Sequence, residues 1–144
     1  IGGGNDTNLK DLYDFGVLLG TAFQIQDDYL DAYGNPESFG KQFAGDIIEN
    51  KKTILYHQAM ENGSSKEKTA LTQWFSNQIK GKDVADKINA VKLLFDKTGA
   101  SESSKALVSK YTEAAFKKLD SLDISIENKV LFKTFGINLM ERKF

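Results

Sequence analysis

The sequence has no cysteine, one proline and one histidine among its 144 residues. Without cysteine there are no disulfides and no thiolate metal sites. A lone His57 leaves almost no room for zinc bound through nitrogen and sulfur. No apolar run reaches the length of a membrane span, and no signal-peptide pattern is read, so the expected compartment is the cytoplasm. Neither charge is in excess: 19 basic and 20 acidic side chains leave a net charge of −1. That balance argues against a nucleic-acid or anionic-membrane surface, which needs a basic excess. With Pro36 the only proline and little strand-type alternation, the expected fold class is all-α.

What is present fits one soluble globular domain over residues 1–144, 40% hydrophobic and 27% charged. The chain starts at Ile1 and runs straight into Gly2-Gly3-Gly4, which reads as a joint inside a longer protein and sets the expectation of a fragment. Asp6, Thr7 or Asn8 can cap a first long helix over about Leu9 to Ala32. Leu12, Phe15, Leu19, Phe23, Gln26 and Leu30 recur along it at three- and four-residue steps, and Val17, Leu18, Ala22 and Ile25 widen the stripe. Apolar residues on most of its circumference suggest a helix central to a bundle. Gly34 and Pro36 end it. A second helix is expected from Gly45-Asp46 to about Glu61, with Asp46 as its N-cap. Asn62-Gly63-Ser64-Ser65 then closes it and caps a helix to about Gln78. Further helices are expected over Val84 to Lys97, Ser101 to Leu119 and Ser125 to Met140. The last should turn Ile126, Val130, Leu131, Phe135 and Leu139 inward.

The chemistry concentrates in Phe23-Gln24-Ile25-Gln26-Asp27-Asp28-Tyr29-Leu30-Asp31. On a helix Asp27 and Asp31 lie one turn apart, with Asp28 at the (i, i+3) distance from Asp31. Three repelling carboxylates need compensation, and magnesium held by oxygen ligands and by a substrate's phosphate oxygens is a natural source. An EF-hand is excluded, because a loop starting at Asp28 would place Tyr33 rather than glycine at its sixth position. Gln24 lies one turn before the aspartates. Lys41 follows on a loop beside Gly40, Asp46 opens the next helix, and Lys51 comes five residues later. Aspartates facing lysines make a charge-paired cleft suited to magnesium and a diphosphate, and to ionising a carbon–diphosphate bond. His57, Lys52 and the charged stretches at Lys66 and Lys117 read as exposed surface. Trp74, Phe75, Phe95 and Phe135 read as core. Helical spacing leaves Phe15, Leu19 and Phe23 open between core and the lining of an apolar tunnel.

The stretch Phe23–Asp31, continued by Gly34-Asn35-Pro36, Gly40-Lys41, Asp46, Lys51 and Thr53 in that order, resembles the second aspartate-rich motif of the trans-isoprenyl diphosphate synthases. The resemblance implies the C-terminal half of an all-α bundle of the isoprenoid synthase type, expected to be homodimeric. It implies a magnesium-dependent prenyltransferase that joins isopentenyl diphosphate to an allylic diphosphate. Carried over, Asp27, Asp28, Asp31 and Asp46 are the expected metal ligands. Gln24, Lys41 and Lys51 are the expected contacts of the allylic diphosphate, and Asp27, Lys41 and Lys51 the expected catalytic residues. Arg142 and Lys143 are candidates for a tail that closes over the site.

The family also uses a first aspartate-rich motif with nearby arginines, and the only arginine here is Arg142. The 144 residues alone are therefore expected to be inactive. Two other readings stay open: a non-catalytic synthase-like partner or helical scaffold, and a terpene cyclase.

Overall fold

The computed structural model describes residues 6–35, 43–76 and 83–141. Among the described residues every regular element is a helix: α1 (Asp6–Tyr33), α2 (Gly45–Ile48), α3 (Ile54–Asn62), α4 (Ser65–Ser76), α5 (Asp83–Lys97), α6 (Ala100–Ser121) and α7 (Ile126–Met140). The all-α expectation holds. Gly2-Gly3-Gly4, Pro36, Gly40, Lys41, Gly81-Lys82 and the Arg142-Lys143 tail lie outside the described residues.

Two compact units divide the chain, one of Ile1–Gln24 with Leu107–Lys143 and one of Ile25–Ala106. In the first, Phe15 and Leu19 of α1 pack with Ala115, Leu119 and Leu122. Their one-turn spacing is the sequence pattern that forms the helix face. The start of α1 is tied down by Asn8, whose amide donates to the Asp123 carbonyl (2.8 Å) and accepts from the Asp123 N–H (3.1 Å). Lys118 pairs with Asp11 at 2.7 Å. Ser125 caps α7 by accepting from the Asn128 N–H.

Here one expectation fails. Of the residues expected to point inward on α7, Ile126 is 80% exposed and Phe135 58%, with Val130 and Leu131 also exposed. The helix is apolar on nearly every side, so periodicity does not mark one face for burial. The face that is buried follows its smallest residue. A Cβ on Gly136 would come within 2.9 Å of the Phe116 ring, so the missing side chain is what lets α7 approach. Phe132 meets Phe15 edge-on at 6.2 Å. Leu131 and Phe135 instead line an apolar groove of about 510 Å³ with Leu12, Phe15, Gly16 and Phe132.

The second unit has the larger core: Leu30, Ile47, Leu55, Leu71, Val91 and Phe95 are all buried, with Trp74 packed against them. Each such side chain contributes about 1.5–3 kcal/mol relative to exposure. Between α5 and α6 the chain turns at Gly99, whose φ of 73° is a left-handed value that a side chain would strain. The expectation of one helix from Gly45 to Glu61 also fails. It is split into α2 and α3 by a connection at residues 49–53. Asp46 is not the N-cap: that position is Ala44, in the left-handed region at φ 54°, and Asp46 lies in the first turn.

Helix α4 starts with a capping box. The Ser64 N–H and hydroxyl both donate to Glu67 (2.8 Å each), and the Glu67 N–H donates back to the Ser64 hydroxyl (3.4 Å). The bonds from the Ser64 N–H and hydroxyl pull the Glu67 carboxyl below its ordinary 4.5. A depressed carboxylate stabilises the fold above its unfolded value, and that contribution is lost as pH falls through the lower folded value. Ser64→Ala in the complete protein is expected to cost about 1 kcal/mol at pH 7 and to flatten stability against pH below 4.5. Urea unfolding across that range checks both.

Candidate diphosphate-binding site

The aspartates occupy the last turns of α1, which stops where the Gly34 N–H closes onto the Leu30 carbonyl at 2.7 Å. Asp31 then anchors the returning chain twice. Its carbonyl accepts from the Ala44 N–H (2.9 Å) and its carboxylate from the Asp46 N–H (2.9 Å). The carboxylate thus serves the open start of α2, where backbone N–H groups have no partner inside the helix. Burial raises the Asp31 pKa above its ordinary value, against the Asp46 N–H, with the Asp46 charge adding to the rise.

The spacing from Asp46 to Lys51 has a structural cause. Asn50 takes a left-handed φ of 59°. Its N–H reaches the Ile47 carbonyl (3.2 Å), and the Lys51 N–H reaches back to the Asp46 carbonyl (2.9 Å). That pair of bonds is a Schellman motif, in which the sixth residue closes on the first. It folds Lys51 over Asp46, and the ammonium bonds the Asp46 carboxylate at 3.1 Å and that of Asp28 at 3.5 Å. Desolvation works against the charge on Lys51. The hydrogen bond to Asp46 and the Asp28 charge outweigh it, so the ammonium is held above its ordinary pKa. Its side chain is still 52% exposed.

Asp28 has a further role that the sequence did not show. It is buried, and its second oxygen accepts from the Ile54 N–H at 3.4 Å, at the start of α3. Thr53, the N-cap residue, makes no side-chain cap bond of its own. A carboxylate from α1 thus caps α3. Asp27 is only partly buried. Gln24 is exposed on α1, at the end of the first unit. Lys41 lies outside the described residues. His57 is exposed, with its ring edge-on to Tyr56, as a surface residue.

The structure therefore brings Asp28, Asp46 and Lys51 together and joins Asp31 to them through the Asp46 backbone. Part of the compensation for the clustered carboxylates comes from Lys51 itself. No three His, Cys, Asp or Glu groups among the described residues converge into a metal cage. Magnesium does not require one, since it is commonly held by one or two carboxylates plus phosphate oxygens and water. The donors on offer are hard carboxylate oxygens, so the residues fit that ion. Sequence reasoning missed Lys87 of α5. Only 1% exposed, it donates to the Ile48 carbonyl (3.3 Å) and to the Asn50 side chain. A lysine among Val84, Ile88 and Val91 gives no signal of burial beyond its place on the apolar face.

Known proteins resemble this chain in sequence and in fold. Residues 1–94 match the model of the polyprenyl synthetase family. A short chain isoprenyl diphosphate synthase of Methanothermobacter thermautotrophicus is 34% identical over 131 residues, covering 91% of this chain and 39% of that protein. A crystal structure of a geranylgeranyl pyrophosphate synthase superposes with a TM-score of 0.87 at 38% identity, over 99% of this chain and 44% of the other. A second such synthase, from Corynebacterium glutamicum and complexed with isoprenyl diphosphate and magnesium, gives a TM-score of 0.83 at 28% identity, over 98% of this chain and 39% of the other. The chain thus spans about two fifths of the length of the proteins it matches. The fold is that of these helical synthases.

Proposed function

The chain belongs to the polyprenyl synthetase family, and from that premise we infer that it carries one wall of the diphosphate site of a prenyltransferase. The reaction joins isopentenyl diphosphate to an allylic diphosphate. The allylic carbon–oxygen bond breaks with its electron pair leaving on pyrophosphate. The double bond of isopentenyl diphosphate attacks the resulting cation, and a proton is lost to the released pyrophosphate.

The observation that carries this reading is the placement of Lys51. Its ammonium is held between Asp46 and Asp28, yet half of its side chain is open. A lysine held in this way can take a diphosphate oxygen as a further partner without rebuilding its loop. Its fixed charge then meets the negative charge that grows on the leaving group, which is where an electrostatic contact lowers a barrier. Asp31 serves the site by holding the start of α2, and Asp28 by setting Lys51 and the start of α3. By the resemblance, Gln24 and Lys41 add contacts to the allylic diphosphate. Magnesium, held by Asp27 with Asp28, Asp31 and Asp46 directly or through water, would supply charge neutralisation on the diphosphate oxygens.

Lys51→Met in the complete protein is expected to weaken magnesium-dependent pyrophosphate binding roughly tenfold to a hundredfold, the cost of one charge-assisted hydrogen bond. Isothermal titration of pyrophosphate with and without magnesium measures it. Absence of magnesium-dependent binding in the unmutated protein would favour a non-catalytic scaffold instead.

A further inference from the structure

Lys87 is a cation in a place that suits an apolar side chain. On α5 it shares the buried face with Val91, and its ammonium lies 5.7 Å from the centre of the Phe75 ring. No ion pair of Lys87 is found among the described residues. Its polar partners are the Ile48 carbonyl and the Asn50 side-chain oxygen. An unpaired buried charge is costly, and burial lowers its pKa accordingly. Both partners belong to one small structure. Ile48 is the last residue of α2, with its carbonyl among those left open at the helix end. Asn50 is the left-handed residue of the Schellman turn, and Lys51 follows it directly. The buried ammonium thus grips the turn from the core side, while the next residue presents its own ammonium to Asp46 and Asp28.

We propose that Lys87 is a positioning residue for Lys51: by clamping Ile48 and Asn50 it fixes the turn that sets the Lys51 ammonium between Asp28 and Asp46. This deepens the diphosphate-site reading and rests on it. Being 1% exposed, Lys87 touches no diphosphate itself and acts only through the turn. Methionine at this position keeps nearly the same length without the charge. It leaves the Ile48 carbonyl and the Asn50 amide oxygen without their donor, so the turn loosens while the packing stays. Asn50→Gly removes the other end of the clamp and keeps the left-handed backbone that glycine tolerates.

The test is a double-mutant cycle on the complete protein, with magnesium-dependent binding of inorganic pyrophosphate as the readout. Lys87→Met and Asn50→Gly are each expected to weaken binding about tenfold when Lys51 is present and to change nothing further in the Lys51→Met background. A purely structural Lys87 would weaken binding equally in both backgrounds, or lower thermal stability alone; either result overturns the proposal. Asn50→Gly keeps the test decisive if Lys87→Met does not fold, since unchanged affinity in it overturns the clamp. Failure of the unmutated protein to bind pyrophosphate, or indifference to Lys51→Met, is a different outcome: it removes the diphosphate-site reading, and this proposal with it.

Discussion

Asp27→Ala in the complete protein is expected to lower the proposed prenyl-transfer turnover roughly a hundredfold to a thousandfold, the scale seen when one preorganised electrostatic group is removed, with the fold unchanged. The other two aspartates hold backbone N–H groups at helix starts, which complicates reading their loss. Asp28→Ala would strip Lys51 and the Ile54 N–H of an acceptor, and Asp31→Ala would do the same to the Asp46 N–H. Both variants would mix damage to the turn and helix ends with any loss of chemistry. Asp27 is only partly buried. Alanine has the higher helix propensity, and its introduction relieves a like-charge pair with Asp31 one turn on. Thermal unfolding of the variant should therefore match or slightly exceed that of the parent. Turnover is read from steady-state transfer with saturating magnesium and both diphosphates. Near-normal turnover would remove Asp27 from the metal site.

The 144 residues purified alone are expected to show no prenyl transfer. They span about two fifths of the synthases they match, and they hold one cluster of three aspartates and a single arginine. A two-substrate condensation needs a second diphosphate held close to the first in attacking geometry, and that proximity supplies much of the rate. Every lysine and aspartate placed here in the site belongs to one diphosphate. The first unit adds a physical reason: Leu131 and Phe135 are exposed beside an apolar groove. Apolar surface left open in this way marks a place where further protein or an apolar ligand docks. Transfer at ordinary rates from this polypeptide, assayed by product extraction against the complete protein, would refute the expectation.

Local regularities were legible in the residues. Helix α1 runs from Asp6 to Tyr33 against an expected Leu9 to Ala32, because its three- and four-residue apolar steps extend over many turns. Ser64 caps α4 through Glu67, as the Asn62–Ser65 cluster suggested. The order of Asp27, Asp28, Asp31, Asp46 and Lys51 pointed to a charge-paired cleft, and Lys51 does bridge Asp28 and Asp46. In each case the signal lies within a few residues, or in a fixed order of residue types.

Other features depended on what packs against each segment. Nothing in the spacing of Asp46 and Lys51 foretold a break at residues 49–53. The left-handed Asn50 that makes it is held by Lys87, 37 residues further on. Asp28 caps α3 only because α1 and α3 meet, and Phe135 is exposed only because Gly136, not the larger residues, faces Phe116. The sequence by itself determined the all-α class, the long helices, the family and the residue types of the candidate site. The tertiary structure decided which carboxylate does which task and which lysine is buried, because burial and hydrogen-bond partners are set by neighbours distant along the chain. That is how the aspartate helix, acidic and self-repelling when read alone, comes to be held against Lys51.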